Sequence, residues 1–164
     1  MQAMQIELLQ QMPIFGAVSE STLEFLLAPA QVFDVPAGQY FFREGDAASG
    51  MFVLEHGRVA VRKQWERRDM LLRELGRGDC FGEMALLDLS ARSASVVALE
   101  DCHAIELTPD NLFRLFELDP GQFALIQMNI AREMSRRLRY TDEMLFRARM
   151  EEVNASLEEV FRWA

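Results

Sequence analysis

Hydrophobic positions in the first thirty residues recur at helical spacing and predict two short helices. The first covers residues 2–12 and ends at Pro13. The second begins after Ser19, a residue suited to cap a helix, and ends before Pro29. Residues 1–30 are therefore expected to be helices that pack on the rest of the chain.

From Gln31 the pattern changes to short runs of β-branched and aromatic residues, divided by turn residues. These runs cover residues 32–35, 40–43, 51–55, 59–61, 70–75, 96–99 and 104–107. Strands this short bury their apolar faces only when two sheets close on each other. Residues 31–108 are therefore predicted to form a jelly roll, or double-stranded β-roll, in a mainly β fold with flanking helices.

The C-terminal part, residues 109–164, returns to helical spacing. A short helix is predicted over 109–117, and Pro120 starts a long one that reaches at least residue 149. Apolar positions three or four residues apart give this helix a continuous stripe, made of Ile126, Ile130, Met134, Leu138, Thr141, Leu145 and Ala148. Such a stripe suits either pairing of two such helices or packing of the helix along its own roll.

Length, composition and charge limit the number of domains and the kinds of partner that this protein can have. The chain has 164 residues, half of them hydrophobic, which suits one domain with its own core. A net charge of −9 disfavours loose binding to nucleic acid or to an anionic membrane. Without a long apolar run or a secretion-signal pattern, the sequence predicts a cytoplasmic protein that acts away from membranes.

The cysteines and histidines do not form a recognisable site. Cys80 and Cys102 lie in apolar strand-like runs, and His56 and His103 are isolated from them. We therefore expect core cysteines, no metal and no cofactor. Catalysis is not expected either, because metal-dependent phosphodiesterases need clusters of histidine and aspartate that two scattered histidines cannot supply.

Residues 81–97, FGEMALLDLSARSASVV, interrupt the strands with a segment suited to binding an anion. Gly82 precedes one predicted helical turn and allows the backbone to approach a ligand closely. The N–H groups of Met84 and Ala85 are expected to point outward, with the positive end of the helix dipole behind them. A phosphate fits this arrangement.

Arg92 and Ser93 add side-chain donors for a phosphate, while Glu83 adds an acceptor. A carboxylate beside a phosphate is repulsive unless it has another partner, and an acceptor-only group is suited to the hydroxyls of a sugar. These residues predict a site for a phosphorylated ribose. The alternative is that this segment is only a tight strand–helix–strand connection. Arg92 and Glu83 would then form a surface ion pair, worth at most about 1 kcal/mol.

In order and spacing, this segment resembles the phosphate-binding cassette of the cyclic nucleotide-binding domains. Glycine and glutamate, a small apolar turn, and then arginine, serine and alanine precede a β-branched strand. The resemblance covers residues 14–145 and implies the same β-roll. It also implies that Glu83 holds the ribose 2′-hydroxyl and that Arg92 holds the cyclic phosphate.

The resemblance further implies an apolar bed for the ribose and base at Val59, Leu72 and Leu75, which by chemistry alone are ordinary core residues. Arg137 lies at the position of a second arginine near the phosphate. It is expected to hold either Glu83 or the phosphate itself.

Residues 135–142, SRRLRYTD, are similar to the base-reading stretch of the bacterial catabolite activator branch, where a threonine–serine pair contacts adenine. Thr141 matches that threonine, whereas Asp142 replaces the serine. A carboxylate is better suited to the two adjacent donors of guanine, and the Ser93 hydroxyl could also reach a guanine amino group. The activator branch, however, also has arginine followed by serine in this segment and reads adenine. The expected ligand is therefore cAMP, with cGMP as the alternative.

In the resembled family the long helix joins two subunits, so a homodimer through residues 120–149 is expected. Transcription factors of the family continue into a helix-turn-helix domain, whereas this sequence ends at Ala164, so direct DNA binding is not expected. Ser156 and Glu159 form a capping-box pattern. The tail is expected to fold back on the domain or the dimer partner, or to dock an unknown effector protein.

These features predict a stand-alone, non-catalytic regulatory domain that senses a cyclic purine nucleotide and signals through its long helix. Binding is expected to favour the conformation in which the Thr141 region covers the base. Two alternatives stay open. One is an interaction module that has lost nucleotide binding, and the other is the sensor half of a longer transcription factor, channel or enzyme.

Overall fold

The short alternating runs form two four-stranded antiparallel sheets. The computed structural model describes residues 2–66, 68–88 and 90–162. Its strands are β1 (Gln31–Val35), β2 (Tyr40–Phe42), β3 (Met51–His56), β4 (Val59–Trp65), β5 (Arg68–Leu75), β6 (Cys80–Phe81), β7 (Ser95–Ala98) and β8 (Cys102–Leu107). The first sheet has the order β1–β8–β3–β6 and the second β2–β7–β4–β5. The predicted mainly β jelly roll with flanking helices is confirmed.

Aromatic side chains fill the space between the two sheets. Adjacent rings lie 5.0–6.1 Å apart between centroids, in edge-on, tilted and stacked pairs. The cluster consists of Phe33, Phe41, Phe42, Phe52 and Phe81. Both sheets contribute to it, so this cluster joins them into one roll.

Strand β3 is apolar on both faces because it separates two cores. Phe52 and Leu54 face the space between the sheets, whereas Met51 and Val53 pack against the helices. This arrangement explains why β3 is a continuous apolar run rather than an alternating one.

The N-terminal helices cover the outer face of the first sheet. They are α1 (Gln2–Gln10) and α2 (Glu20–Leu27), separated by a short 3-10 helix over Pro13–Phe15. The Ser19 hydroxyl accepts a hydrogen bond from the Thr22 N–H at 3.3 Å, which confirms the predicted cap.

Two C-terminal helices follow the roll, α3 (Pro109–Leu118) and α4 (Pro120–Arg162). The predicted apolar stripe of α4 divides into two parts. Ile126 and Ile130 are buried in the core that also contains residues of α1, α2 and the first sheet, whereas Leu138 and Leu145 are more than half exposed. The Asn129 amide fixes the buried part by donating hydrogen bonds to the carbonyl oxygens of Ile14 and Gly16.

The tail continues α4. Because the helix runs unbroken to Arg162, Ser156 does not begin a new helix, and the segment does not fold back on its own domain. Packing of this segment on a dimer partner stays a prediction. Trp163 lies outside the described residues. Within the residues that the structure describes, no helix is long and apolar enough to cross a membrane.

Candidate functional site

A cavity of about 460 Å³ lies where the segment 81–97 meets the second sheet and α4. One wall consists of Phe42, Val61, Arg73 and Val96, which come from the four strands of the second sheet. The opposite wall is the segment itself, and α4 closes the end with Met134, Arg137, Leu138 and Thr141. The cavity is large enough for a small organic ligand.

Gly82 begins the cavity turn with a backbone conformation that favours glycine. Its φ is +76°, and it leads into a 3-10 turn over Glu83–Leu86. A Cβ atom at this position would lie 2.6 Å from Nη1 of Arg92 and 3.1 Å from the carbonyl oxygen of Gly50. A side chain here would strain the turn and displace the guanidinium.

The Arg92 side chain is only 6% exposed. Its Nη1 donates to the carbonyl oxygens of Gly50 at 2.8 Å and Gly82 at 3.3 Å, and its Nη2 donates to the Ser49 hydroxyl at 3.3 Å. The guanidinium also lies over the Phe42 ring, 4.0 Å from its centroid. These contacts fix the plane of the cation in the cavity wall.

Glu106 is a buried carboxylate that is linked to Arg92 through Ser49. The Ser49 hydroxyl donates to Glu106 at 2.6 Å, and so links the two charged groups. Burial lowers the pKa of Arg92, and the negative charge of Glu106 is the largest influence opposing that shift. Nε of Arg92 is buried without a hydrogen-bond partner among the described residues.

Glu83 is also buried, with 4% of its surface exposed. One carboxylate oxygen is ion-paired with Arg137 of α4, and the other, Oε2, has no partner among the described residues. The alternative of a surface ion pair between Glu83 and Arg92 is therefore wrong, because both groups are buried and Glu83 pairs with a different arginine.

One of the two backbone amides expected to face a ligand, that of Ala85, is engaged within the turn. The N–H of Ala85 donates to the carbonyl oxygen of Gly82 at 3.1 Å, because the four-residue turn closes as a 3-10 helix. The prediction that this amide points outward is therefore wrong.

The sequence-family model for the cyclic nucleotide-binding domain matches residues 32–119 of this chain. The chain belongs to the cyclic nucleotide-binding domain family. The match confirms the family resemblance that was found in residues 81–97.

Relatives within this family include cAMP-responsive regulators. The chain is 32% identical over 131 residues to the cyclic AMP receptor protein of Thermus thermophilus, covering 79% of this chain and 59% of that protein. The crystal structure of the Thermus thermophilus catabolite activator protein matches with a TM-score of 0.72 and 31% identity, over 81% of this chain and 61% of that one. The regulatory domain of Toxoplasma gondii PKA with cAMP matches with a TM-score of 0.65 and 26% identity, over 69% and 43% of the two chains.

These relatives are longer than the chain described here. The chain spans about three fifths of the length of the curated relatives that it matches, between 59% and 61% for the first three. The similarity therefore concerns the nucleotide-binding domain that the family shares.

The structure brings most of the predicted site residues together around one cavity. Eight of them contribute to its walls: Gly82, Glu83, Met84, Ala85, Arg92, Ser93, Arg137 and Thr141. The Thr141 hydroxyl donates to the carbonyl oxygen of Arg137 at 2.9 Å, so it remains available as an acceptor. The ion pair confirms the prediction that Arg137 holds Glu83.

Four predicted residues lie outside the cavity walls that the described residues form: Val59, Leu72, Leu75 and Asp142. Val59 is fully buried in the core between the sheets, and Leu75 packs against that core. Asp142 is exposed on α4 beside Thr141. A contact of these four residues with a ligand stays a prediction.

A β-bulge explains why Leu72 is displaced. Val61 of β4 pairs with Arg73 of β5, but the next residue, Arg62, pairs with Leu71. Leu72 is the additional residue of the bulge and is 55% exposed. The cavity receives Val61 and its cross-strand partner Arg73 instead of Val59 and Leu72.

Sequence reasoning missed Arg73, Ser49 and Glu106. The first two carried no signal, because their positions depend on the bulge and on a loop. Glu106 carried one, since a carboxylate inside the apolar run Ala104–Leu107 needs a buried partner. The position of Glu106 in the sequence indicated that a buried cation lies nearby, but not which residue supplies it.

Proposed function

We propose that this chain is a regulatory domain that binds a 3′,5′-cyclic purine nucleotide, with cAMP as the first candidate, and catalyses no reaction. The observation that carries the proposal is that one cavity contains two buried, opposite charges, Arg92 and Glu83, which are not paired with each other. Arg92 and Glu83 each leave one polar atom without a partner among the described residues. Buried charges of this kind are retained where a ligand completes their hydrogen bonds.

The phosphate is assigned to Arg92. Its guanidinium is held flat by Phe42 and by three hydrogen bonds, while Nε remains unpaired among the described residues. The Ser93 hydroxyl lies on the same wall of the cavity. A cyclic phosphate would gain charge-assisted hydrogen bonds from a cation that does not have to reorganise.

The ribose is assigned to Glu83. Its Oε2 atom is a buried acceptor, which suits the donor hydrogen of a ribose 2′-hydroxyl. Arg137 neutralises the other oxygen, so the carboxylate can lie close to the ligand phosphate without large repulsion.

The base is assigned to the remaining part of the cavity, beside Leu138 and Thr141 of α4. cAMP is the first candidate because the similar receptor of Thermus thermophilus is a cyclic AMP receptor. cGMP is the second candidate, because Ser93 and Arg73 both line the cavity and offer donors or acceptors that a guanine can use.

Signalling is proposed to run through α4. This helix supplies both Arg137, which binds Glu83, and Thr141, which lines the cavity. A ligand that contacts Glu83 and the Thr141 region would stabilise one position of α4 over others. Hydrogen exchange of residues 134–149 should slow with saturating nucleotide; identical exchange with and without ligand would contradict this step.

The exposed half of the α4 stripe suits pairing with a second copy of the chain, which is the proposed homodimer. Leu138, Leu145 and neighbouring apolar residues are exposed along this half. The same surface also suits an unknown effector protein, so oligomeric state has to be measured together with ligand binding.

Titration calorimetry with cAMP, cGMP and cyclic di-GMP tests the ligand assignment. Arg92→Ala should weaken binding of the preferred mononucleotide by about 3 kcal/mol, or roughly a hundredfold, because its charge-assisted bonds are lost. Arg58→Ala is the matched control, since Arg58 is exposed and lies away from the cavity. Circular dichroism checks that Arg92→Ala is folded.

Ser93→Ala provides a second test that does not remove a buried charge, and it should weaken binding several-fold. A wild-type protein that binds none of the three nucleotides would favour the alternative, an interaction module that has lost nucleotide binding.

A further inference from the structure

Glu106 is a buried carboxylate that the phosphate and ribose assignments do not use. It extends from β8, is 6% exposed, and is not part of the cavity wall that the described residues form. The Ser49 hydroxyl donates to it at 2.6 Å, and the same hydroxyl accepts from Nη2 of Arg92 at 3.3 Å. A buried carboxylate is costly unless a hydrogen bond and a nearby cation compensate it. Glu106 has a hydrogen bond, and the group on the other side of that bond is a cation of the cavity.

The loop between β2 and β3, residues 43–50, holds Ser49 between the two charges. Gly50 packs so closely on β8 that an added Cβ atom would lie 2.5 Å from the carbonyl oxygen of Leu107 and 3.2 Å from Cγ of Glu106. Ser49 directly precedes this glycine, and its side chain is short. The packing of the loop on β8 therefore keeps the hydroxyl beside the carboxylate.

The hydrogen bonds of Ser49 leave one edge of the Arg92 guanidinium for a ligand. A hydroxyl has one hydrogen, and because Glu106 accepts it, the Ser49 oxygen faces Arg92 as an acceptor. Nη1 of Arg92 donates to the carbonyl oxygens of Gly50 and Gly82, and one N–H of Nη2 donates to Ser49. Nε, which has no partner among the described residues, and the second N–H of Nη2 remain on one edge. Two such parallel donors suit two oxygens of one phosphate.

We propose that Glu106, acting through Ser49, positions the Arg92 guanidinium for the nucleotide phosphate. This inference rests on the proposed function, which assigns the phosphate to Arg92. The carboxylate fixes the direction of the hydroxyl, and the hydroxyl fixes Nη2 before a ligand arrives. The ligand then meets a cation that does not have to reorient, which favours binding. Glu106 and Ser49 are positioning residues, since both act through Arg92.

Titration calorimetry with cAMP and cGMP on variants of the two residues tests the inference. Ser49→Ala should weaken binding of the preferred nucleotide about fivefold, because Nη2 loses its fixed acceptor. Ser49→Thr restores a hydroxyl and should recover most of the affinity. Glu106→Gln keeps an acceptor for the hydroxyl but removes the charge, so it should weaken binding less than Ser49→Ala does.

Glu55→Gln is the matched control. It neutralises a carboxylate of the neighbouring strand β3, which pairs with His103 and lies outside the cavity wall that the described residues form. It should therefore leave nucleotide affinity unchanged. Circular dichroism checks that each variant is folded.

A double-mutant cycle separates positioning from a merely structural contribution. In an Arg92→Ala background there is no guanidinium to position, so adding Ser49→Ala should change the remaining affinity by less than about twofold. A contribution of Ser49 to the general stability of the cavity would weaken binding equally in both backgrounds.

Three results would overturn the inference: wild-type affinity in Ser49→Ala, an equal loss with and without Arg92, or tighter binding by Glu106→Gln. The last result would show that the carboxylate competes with the phosphate for the guanidinium. All three leave the proposed function intact, because the wild type still binds a nucleotide. A wild type that binds neither nucleotide overturns both.

Discussion

Arg137 of α4 is ion-paired with Glu83, 54 residues earlier in the chain, at the floor of the cavity. The Glu83 side chain is 5% exposed and that of Arg137 26%. Since a buried carboxylate without its counter-ion is costly, this contact couples the position of α4 to the stability of the roll.

Arg137→Gln should lower the free energy of unfolding by about 1 to 3 kcal/mol, because it leaves Glu83 buried without a charged partner. Urea denaturation measures the loss. In a double-mutant cycle, Arg137→Gln should cost much less in a Glu83→Gln background.

Arg136→Gln is the matched control for this prediction. Arg136 is the neighbouring arginine, and its side chain is 59% exposed where it pairs with the partly buried Glu133, so loss of this ion pair should cost less than about 0.5 kcal/mol. Equal effects of the two substitutions would show that the pair with Glu83 contributes nothing beyond a surface ion pair.

Gly82→Ala should destabilise the protein more than Gly38→Ala does. Both glycines have positive φ, +76° and +81°, so each substitution costs about 1 kcal/mol of backbone strain. Only at Gly82 would the new Cβ meet Nη1 of Arg92, whereas nothing lies within 4 Å of a Cβ at Gly38.

The extra loss at Gly82 should be accompanied by weaker nucleotide binding, since the displaced guanidinium is the proposed phosphate ligand. Denaturation and calorimetry on both variants measure the two effects. If Gly82→Ala binds as tightly as Gly38→Ala, Arg92 does not need its observed position for binding.

The chemistry of the site could be predicted from sequence because it is local. Gly82, Glu83, Arg92 and Ser93 lie within twelve consecutive positions, 82–93, so their order and spacing alone indicated an anion site beside a sugar acceptor. The buried core strand β3 and the cap at Ser19 were predictable for the same reason. Their signals depend on neighbouring residues and not on distant contacts.

What could not be predicted depends on tertiary contacts. One additional residue in β5 moves Leu72 off the cavity wall and brings Arg73 to it, and nothing in the alternation of this run marks the bulge. Likewise, Ile126 and Leu145 belong to one periodic stripe, yet Ile126 is buried in the core and Leu145 is exposed. Periodicity identifies an apolar face but not what covers it.

Cys80 should make the protein lose stability at alkaline pH. Burial, with a smaller contribution from the charge of Glu83, raises the pKa of the Cys80 thiol from 9.0 to about 12. Above pH 9 the unfolded chain ionises this thiol while the folded protein keeps the proton. The stabilising contribution is therefore complete below pH 9 and is lost as the pH rises from 9 towards 12.

Comparison with Cys80→Ala isolates this effect from other titrating groups. Between about pH 9 and about pH 10 the wild type should lose up to about 1.4 kcal/mol relative to the variant, as measured by urea denaturation. A difference in unfolding free energy that stays constant over this range would show that the folded environment does not keep the thiol protonated.

The exposed half of the α4 stripe should decide whether the chain dimerises. Leu145, 52% exposed, belongs to this stripe, whereas Tyr140, 68% exposed, lies on a different side of the same helix. Leu145→Glu places a charge in the proposed interface and should shift a dimer to a monomer in light scattering. Tyr140→Glu introduces the same charge away from the stripe and should leave the dimer intact.

Two outcomes would contradict this prediction. A wild type that stays monomeric at high concentration would assign the stripe to another partner. Equal dissociation by both variants would place the interface elsewhere on the helix.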